Sequence, residues 1–168
     1  MSDFPASSRL TPELVKAYYY DSYEAPLRKP GLKIHELYVA ILGHLPWWAR
    51  VMIIARNSLV SLFGLHTETA ATVWKPELKD IYTPGDKIVR FKLYSQDENE
   101  IIAGLDDKHL DFRVSVLRFI EQGEAKVAVS TIIFVHSLFG KIYLLIILPF
   151  HKFGLKRLLS NAIAHHRI

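Results

Sequence analysis

The spacing of apolar residues along the chain changes several times, and each change marks an element. Leu110, Phe112, Val114 and Val116 alternate with His109, Asp111, Arg113 and Ser115. After Gln122-Gly123, a second apolar series follows at Ala125, Val127, Val129, Thr131, Ile133 and Val135. Period two is the signature of a half-buried strand, and a two-residue turn at Gln122-Gly123 makes the two runs a hairpin. That turn sets Val116 opposite Val129, Val114 opposite Thr131, Phe112 opposite Ile133 and Leu110 opposite Val135. Both apolar series then share one face, as a half-buried sheet requires. On the other face His109 stands opposite His136, Asp111 opposite Phe134 and Arg113 opposite Ile132.

Upstream, Thr11-Pro12-Glu13-Leu14 offers a capping residue followed by proline at the first helical position, which predicts a short helix ending near Ala17. The tyrosine-rich residues 18–27, with Pro26 near their end, predict a strand at the sheet edge or just leaving it. Ile34, Leu37, Tyr38 and Ile41 have helical spacing, with Gly43 as the cap. A second helix is predicted from Pro46 to a stop at Gly64, with Trp48, Val51, Met52, Ala55, Leu59, Leu62 and Phe63 inward, forming a hairpin with the first. Residues 66–86 lack a sustained period and read as loop with a short strand near residues 71–74. Strands are predicted at residues 87–94 and 100–105, joined by a turn through residues 95–99, with Asp106-Asp107 as the next turn. Ser137 caps a closing helix over residues 137–165, whose apolar run is interrupted by Pro149, a position expected to bend it.

These elements predict an α+β fold, an antiparallel sheet packed on a long C-terminal helix with a two-helix insertion after the first strand. At 168 residues the chain suits one domain, with residues 1–17 as an N-terminal arm. The absence of cysteine excludes disulfides, thiolate zinc sites and a cysteine nucleophile, and fits a reducing compartment. The first ten residues lack the basic cluster and apolar stretch of a signal peptide, so a cytoplasmic location is expected. The strongest apolar run, residues 142–150, falls short of the roughly 20 residues of a spanning helix. It reads as core, and no transmembrane segment is expected. Net charge is +4, but from Ala125 onward there are six Lys or Arg and no Asp or Glu. Cations near a helix C-terminus match its dipole. They are not interleaved with aromatics in a nucleic-acid-binding motif, so no nucleic-acid partner is expected. No Gly-rich phosphate loop or serine-nucleophile motif is present, and no cofactor is implied.

The order strand, two short helices, antiparallel strands, long helix is similar to the START-like or birch-pollen-allergen-like helix-grip superfamily. Pro46-Trp47-Trp48-Ala49-Arg50, Arg56-Asn57, Phe63-Gly64-Leu65, the stretch from Leu105 through His109 to Arg113, and Tyr143 onward to Pro149-Phe150-His151 look like an uncharacterised bacterial family, domain-of-unknown-function family 2867. This resemblance covers about residues 18–162. The superfamily implies a curved sheet gripping the helix around a cavity for hydrophobic ligands, and in some members cyclase, aromatase or hydrolase chemistry.

Two sets of candidate residues follow. His109, Asp111, Arg113 and His136 form a polar row. It reads either as an outer-face ladder of ion pairs or as a cyclase, isomerase or hydrolase site, with His109 as acid or base, Asp111 orienting it and Arg113 holding an anion. His109, Asp111 and His136 formally match a non-haem iron ligand set, but Arg113 beside them opposes a cation, so no metal is expected. The inner face offers Phe112, Val114, Val129, Thr131, Ile133, Ile142 and Ile146 as the lining for a small hydrophobic or amphipathic ligand, each of them also a core residue. Tyr18, Tyr19, Tyr20 and Tyr23 can add polar tips to such a pocket. A third reading makes the basic C-terminal helix, or the loop over residues 66–86, a contact for a protein or membrane surface, with the adjacent Trp47 and Trp48 as another such mark.

Overall fold

The computed structural model describes residues 2–47, 49–51, 79 and 81–168. A 3-10 helix, Thr11–Lys16, precedes strand β1 (Tyr19–Pro26) and helix α1 (Ile34–Leu42). Five strands follow, β2 (Lys87–Ile88), β3 (Phe91–Gln96), β4 (Glu100–Leu105), β5 (Leu110–Glu121) and β6 (Glu124–Val135), and then helix α2 (Leu138–Ala164). The strands make one antiparallel sheet in the order β1-β6-β5-β4-β3-β2, so β1 is an edge strand beside the last strand in sequence. The chain is α+β, with a six-stranded sheet and a C-terminal helix.

The β5–β6 hairpin adopts the expected register throughout, from Leu110 opposite Val135 to Glu121 opposite Glu124. Its turn needs two residues with positive φ, and Gln122 (52°) and Gly123 (83°) supply them. The predicted strand at residues 87–94 is instead broken. Val89 takes φ 55°, an unfavourable conformation for a β-branched residue, and the chain reverses into the β2–β3 hairpin. Burial of Ile88 and Val89 in the core offsets that strain, and the Arg90 guanidinium ties the turn to α1 by donating to the Leu42 carbonyl (2.7 Å). The predicted second helix starts at Trp47, where Arg50 N donates to Pro46 O (3.2 Å). Its continuation, its hairpin with α1 and the strand near residues 71–74 lie outside the described residues.

The inner sheet face meets both helices. Tyr23, Ala25, Val116 and Val129 pack with Leu37, Tyr38 and Ile41 of α1 and with Leu158, Leu159 and Ala162 of α2. Leu110 and Ile133 pack with Leu144 near the start of α2. Ser137 is the expected N-cap, its hydroxyl accepting from Gly140 N (3.1 Å), and α2 continues unbroken through Pro149. Part of the outer face is covered by the N-terminal arm. Leu10, 1% exposed, packs on Ile102 and Ile132. Beside it the buried Glu100 carboxylate accepts from the hydroxyls of Ser8 (2.6 Å) and Ser115 (2.5 Å) and from Arg9 N (2.9 Å).

Residues 142–150 are not the core run that their hydrophobicity suggests. Only Leu144 among them is buried, while Ile142, Leu145, Ile146 and Phe150 are exposed. A helix has one face toward a sheet, and a run apolar on every side leaves the rest outward.

Candidate functional site

Strand alternation on β1 directs Tyr19, Asp21 and Tyr23 to the inner face, placing a carboxylate between two phenols. Asp21 is 1% exposed. One of its oxygens accepts from Tyr19 Oη (2.7 Å) and Tyr23 Oη (3.2 Å), and the other faces His151 Nε2 of α2 at 3.4 Å. The imidazole also meets the Tyr19 ring edge-on, with centroids 6.4 Å apart. Thr131 lies directly opposite Asp21 on β6, and its buried hydroxyl has no hydrogen-bond partner among the described residues. An unpaired buried hydroxyl is uncommon in a folded protein and calls for an explanation. Leu144, Leu148, Phe112 and Ile133 make the neighbouring apolar wall.

Electrostatics sets the protons. Burial pushes the Asp21 carboxyl up, but His151, through its hydrogen bond and charge, and the two tyrosine hydroxyls outweigh it and hold the group below the usual carboxylate range. Tyr19 is pushed above the ordinary phenol range by burial first and then by its bond to Asp21. Tyr23 is pushed up to about 12 by burial and the Asp21 charge. At neutral pH the charge therefore sits on Asp21 and the protons on the phenols. The result is a fixed anionic acceptor in an apolar wall, suited to a hydroxyl or amine donor.

Helix α2 closes over this cluster, with its fully buried residues near its two ends and only partly buried ones between them. Its buried residues are Gly140 and Leu144 at the start and Leu158, Leu159 and Ala162 near the end, with none between Leu144 and Leu158. Between them Leu148 and Leu155 pack on the core while only partly buried, and His151 faces Asp21. Two open grooves, of about 790 and 720 Å3, lie elsewhere, one bordered by Arg9, Asp97, Glu100 and Arg118 and the other by Lys33, His44, Lys79 and Arg167.

The polar row is on the outer face and is divided among separate partners. Arg113 pairs with Asp106 (2.6 Å) and lies over the Tyr94 ring at 3.8 Å. Asp111 accepts from His136 Nε2 (2.8 Å) and from Asp107 N (2.9 Å). His109 joins its Nδ1 to the Ser137 hydroxyl (2.9 Å) and packs on Phe139. Asp111 and His136 are thus brought together, while His109 and Arg113 are engaged elsewhere, and neither groove is lined by any of the four. Among the described residues no cluster of three His, Asp or Glu side chains is placed to hold a metal ion.

Of the inner-face candidates, Val114, Val129, Thr131 and Ile133 are buried and Phe112 half-buried, whereas Ile142 and Ile146 are on the exposed side of α2. The cause is helical period, because the residues of α2 that face the sheet are Leu144, Leu148 and His151 instead. Tyr19 and Tyr23 do point inward, and Tyr18 and Tyr20 are exposed. Sequence reading missed Asp21 and His151. The alternation Tyr19-x-Asp21-x-Tyr23 was the available signal, and His151 lies in one of the stretches that carry the family resemblance.

Fold and cluster together define an α+β sheet-and-helix domain with a charged group buried between its layers. The chain matches the model of the family described as "Protein of unknown function (DUF2867)" over residues 14–158, and it belongs to that family. No functionally curated protein matches it. Among solved structures, "Crystal structure of Ara h 8.0201" aligns at 10% identity over 87% of this chain and 99% of that one, with a TM-score of 0.31. So loose a likeness does not define the fold.

Proposed function

We propose that the sheet and α2 form a helix-grip arrangement that binds a small amphipathic molecule, with its apolar part between the layers and its polar group at Asp21. The observation that carries this reading is the buried Asp21 cluster with the unpaired Thr131 hydroxyl beneath the middle of α2, where no side chain is fully buried. Burying a carboxylate in a wall of leucine, isoleucine and phenylalanine costs stability unless it is fully paired, and replacing such a group by apolar residues is often neutral or better for folding. A ligand contact gives the charge a use there. The ligand's group must be a donor, because an anionic head would meet Asp21 as a like charge. Movement of the middle of α2 provides entry, since the side chains that hold it there, Leu148, His151 and Leu155, are only partly buried.

Native mass spectrometry of gently purified protein, followed by solvent extraction, tests this. An extractable alcohol, sterol-like molecule or amine at about one per chain is expected, reduced in Asp21→Asn. A chain that carries nothing and takes up no hydrophobic alcohol or amine contradicts the reading.

A further inference from the structure

The first half of α2 carries an apolar face that the sheet does not use. Leu138, Ile142, Leu145, Ile146 and Phe150 recur at the spacing of one helical face, and Leu138 and Leu145 are each 73% exposed. By length and composition α2 is apolar enough to cross a membrane, with a mean hydropathy of 1.5 in a window only 17% buried. Contiguous exposed patches of this kind mark contact sites.

Charge selects what the site contacts. The ammonium groups of Lys141, Lys152 and Lys156 lie over the rings of Tyr18, Tyr19 and Tyr23 at 5.7, 5.6 and 5.8 Å, which sets the three lysines in a row along the β1 side of the apolar face. Arg157 follows on the line of the apolar face at its C-terminal end. No acidic residue occurs from Ala125 to the end of the chain. An apolar stripe bordered by long cationic side chains is the pattern of a helix lying in a bilayer interface, its stripe at the acyl boundary and its lysines reaching headgroup phosphates. We propose that this face docks the domain on an anionic lipid surface, with α2 parallel to the membrane plane and the sheet on its far side.

Flotation with vesicles tests the proposal, using phosphatidylcholine alone and three parts phosphatidylcholine to one part phosphatidylserine. Binding to the mixed vesicles is expected, falling as salt rises. Lys141, Lys152 and Lys156 changed together to Gln should weaken it on the order of 100-fold, at about fivefold per lysine. Leu145→Gln with Ile146→Gln should weaken binding to both vesicle types while the thermal unfolding curve stays in place, because these side chains join no core cluster among the described residues. The chain has no native cysteine, so Leu145→Cys reports directly on the face. Rapid maleimide labelling in lipid-free protein, suppressed by mixed vesicles, is the expected result. Slow labelling without lipid would assign the face to another part of the chain or to a second copy. Failure to bind, binding indifferent to phosphatidylserine, or resistance to alkaline carbonate extraction would each overturn surface docking.

Discussion

At the scale of single residues, the chemistry turns on Asp21. Its three partners all donate, so Asp21→Asn keeps an acceptor but loses the charge and reverses one end of the group. A loss of about 1–3 kcal/mol at neutral pH is expected, measured by urea unfolding. The folded-state pKa lies below the unfolded one. Asp21 therefore adds stability that is present above about pH 4 and is lost as pH falls through the folded value. The gap between wild type and Asp21→Asn should narrow below about pH 4, and a constant gap down to pH 2 would remove the charged pairing from the account. This residue was not legible in the sequence because an aspartate in a tyrosine-rich strand reads as a surface group until the sheet shows which face it occupies. The His109 row had the opposite problem. Its alternation was correctly read as one face, but contacts such as Arg113 with Asp106 and His109 with Ser137 come from a turn and a helix cap, which strand period does not reveal.

At the scale of elements, the β5–β6 hairpin was readable residue by residue, since a two-residue turn and two apolar series leave one consistent register. The β2–β3 hairpin was not, because its turn runs through Val89 and depends on burial rather than on turn chemistry. Close packing makes two elements testable. Gly140 lies where an added Cβ would collide with the His109 carbonyl oxygen. Alanine gains up to about 1 kcal/mol in helix propensity over glycine, yet Gly140→Ala should lower stability by about 1–3 kcal/mol, because the start of α2 must move off the sheet. A shifted denaturant midpoint with an unchanged slope is the expected readout. On the other face, Leu10→Ala should cost about 2–5 kcal/mol by opening the contact with Ile102 and Ile132. It should also speed amide exchange in the arm well before the sheet, and equal exchange in both would contradict the arm's role as a separate cover.

At the scale of the whole molecule, the two faces of α2 differ in character. One closes over a buried anionic acceptor, and the other carries exposed apolar side chains beside a row of lysines. Hydrophobicity alone hid this division, because a helix apolar on all sides looks like core in sequence, and only the sheet's position separates the covered side from the open one. On the covered side, the proposed ligand is a donor-bearing amphiphile held between sheet and helix with its polar group on Asp21. Competitive titration with tail-labelled alcohol, amine and carboxylate of one chain length tests it most directly, on wild type and Asp21→Asn, in lipid-free buffer. Saturable binding of the alcohol or amine, weak binding of the carboxylate, and loss of that preference in Asp21→Asn are expected. Equal binding of all three by both proteins, or none by either, would contradict it.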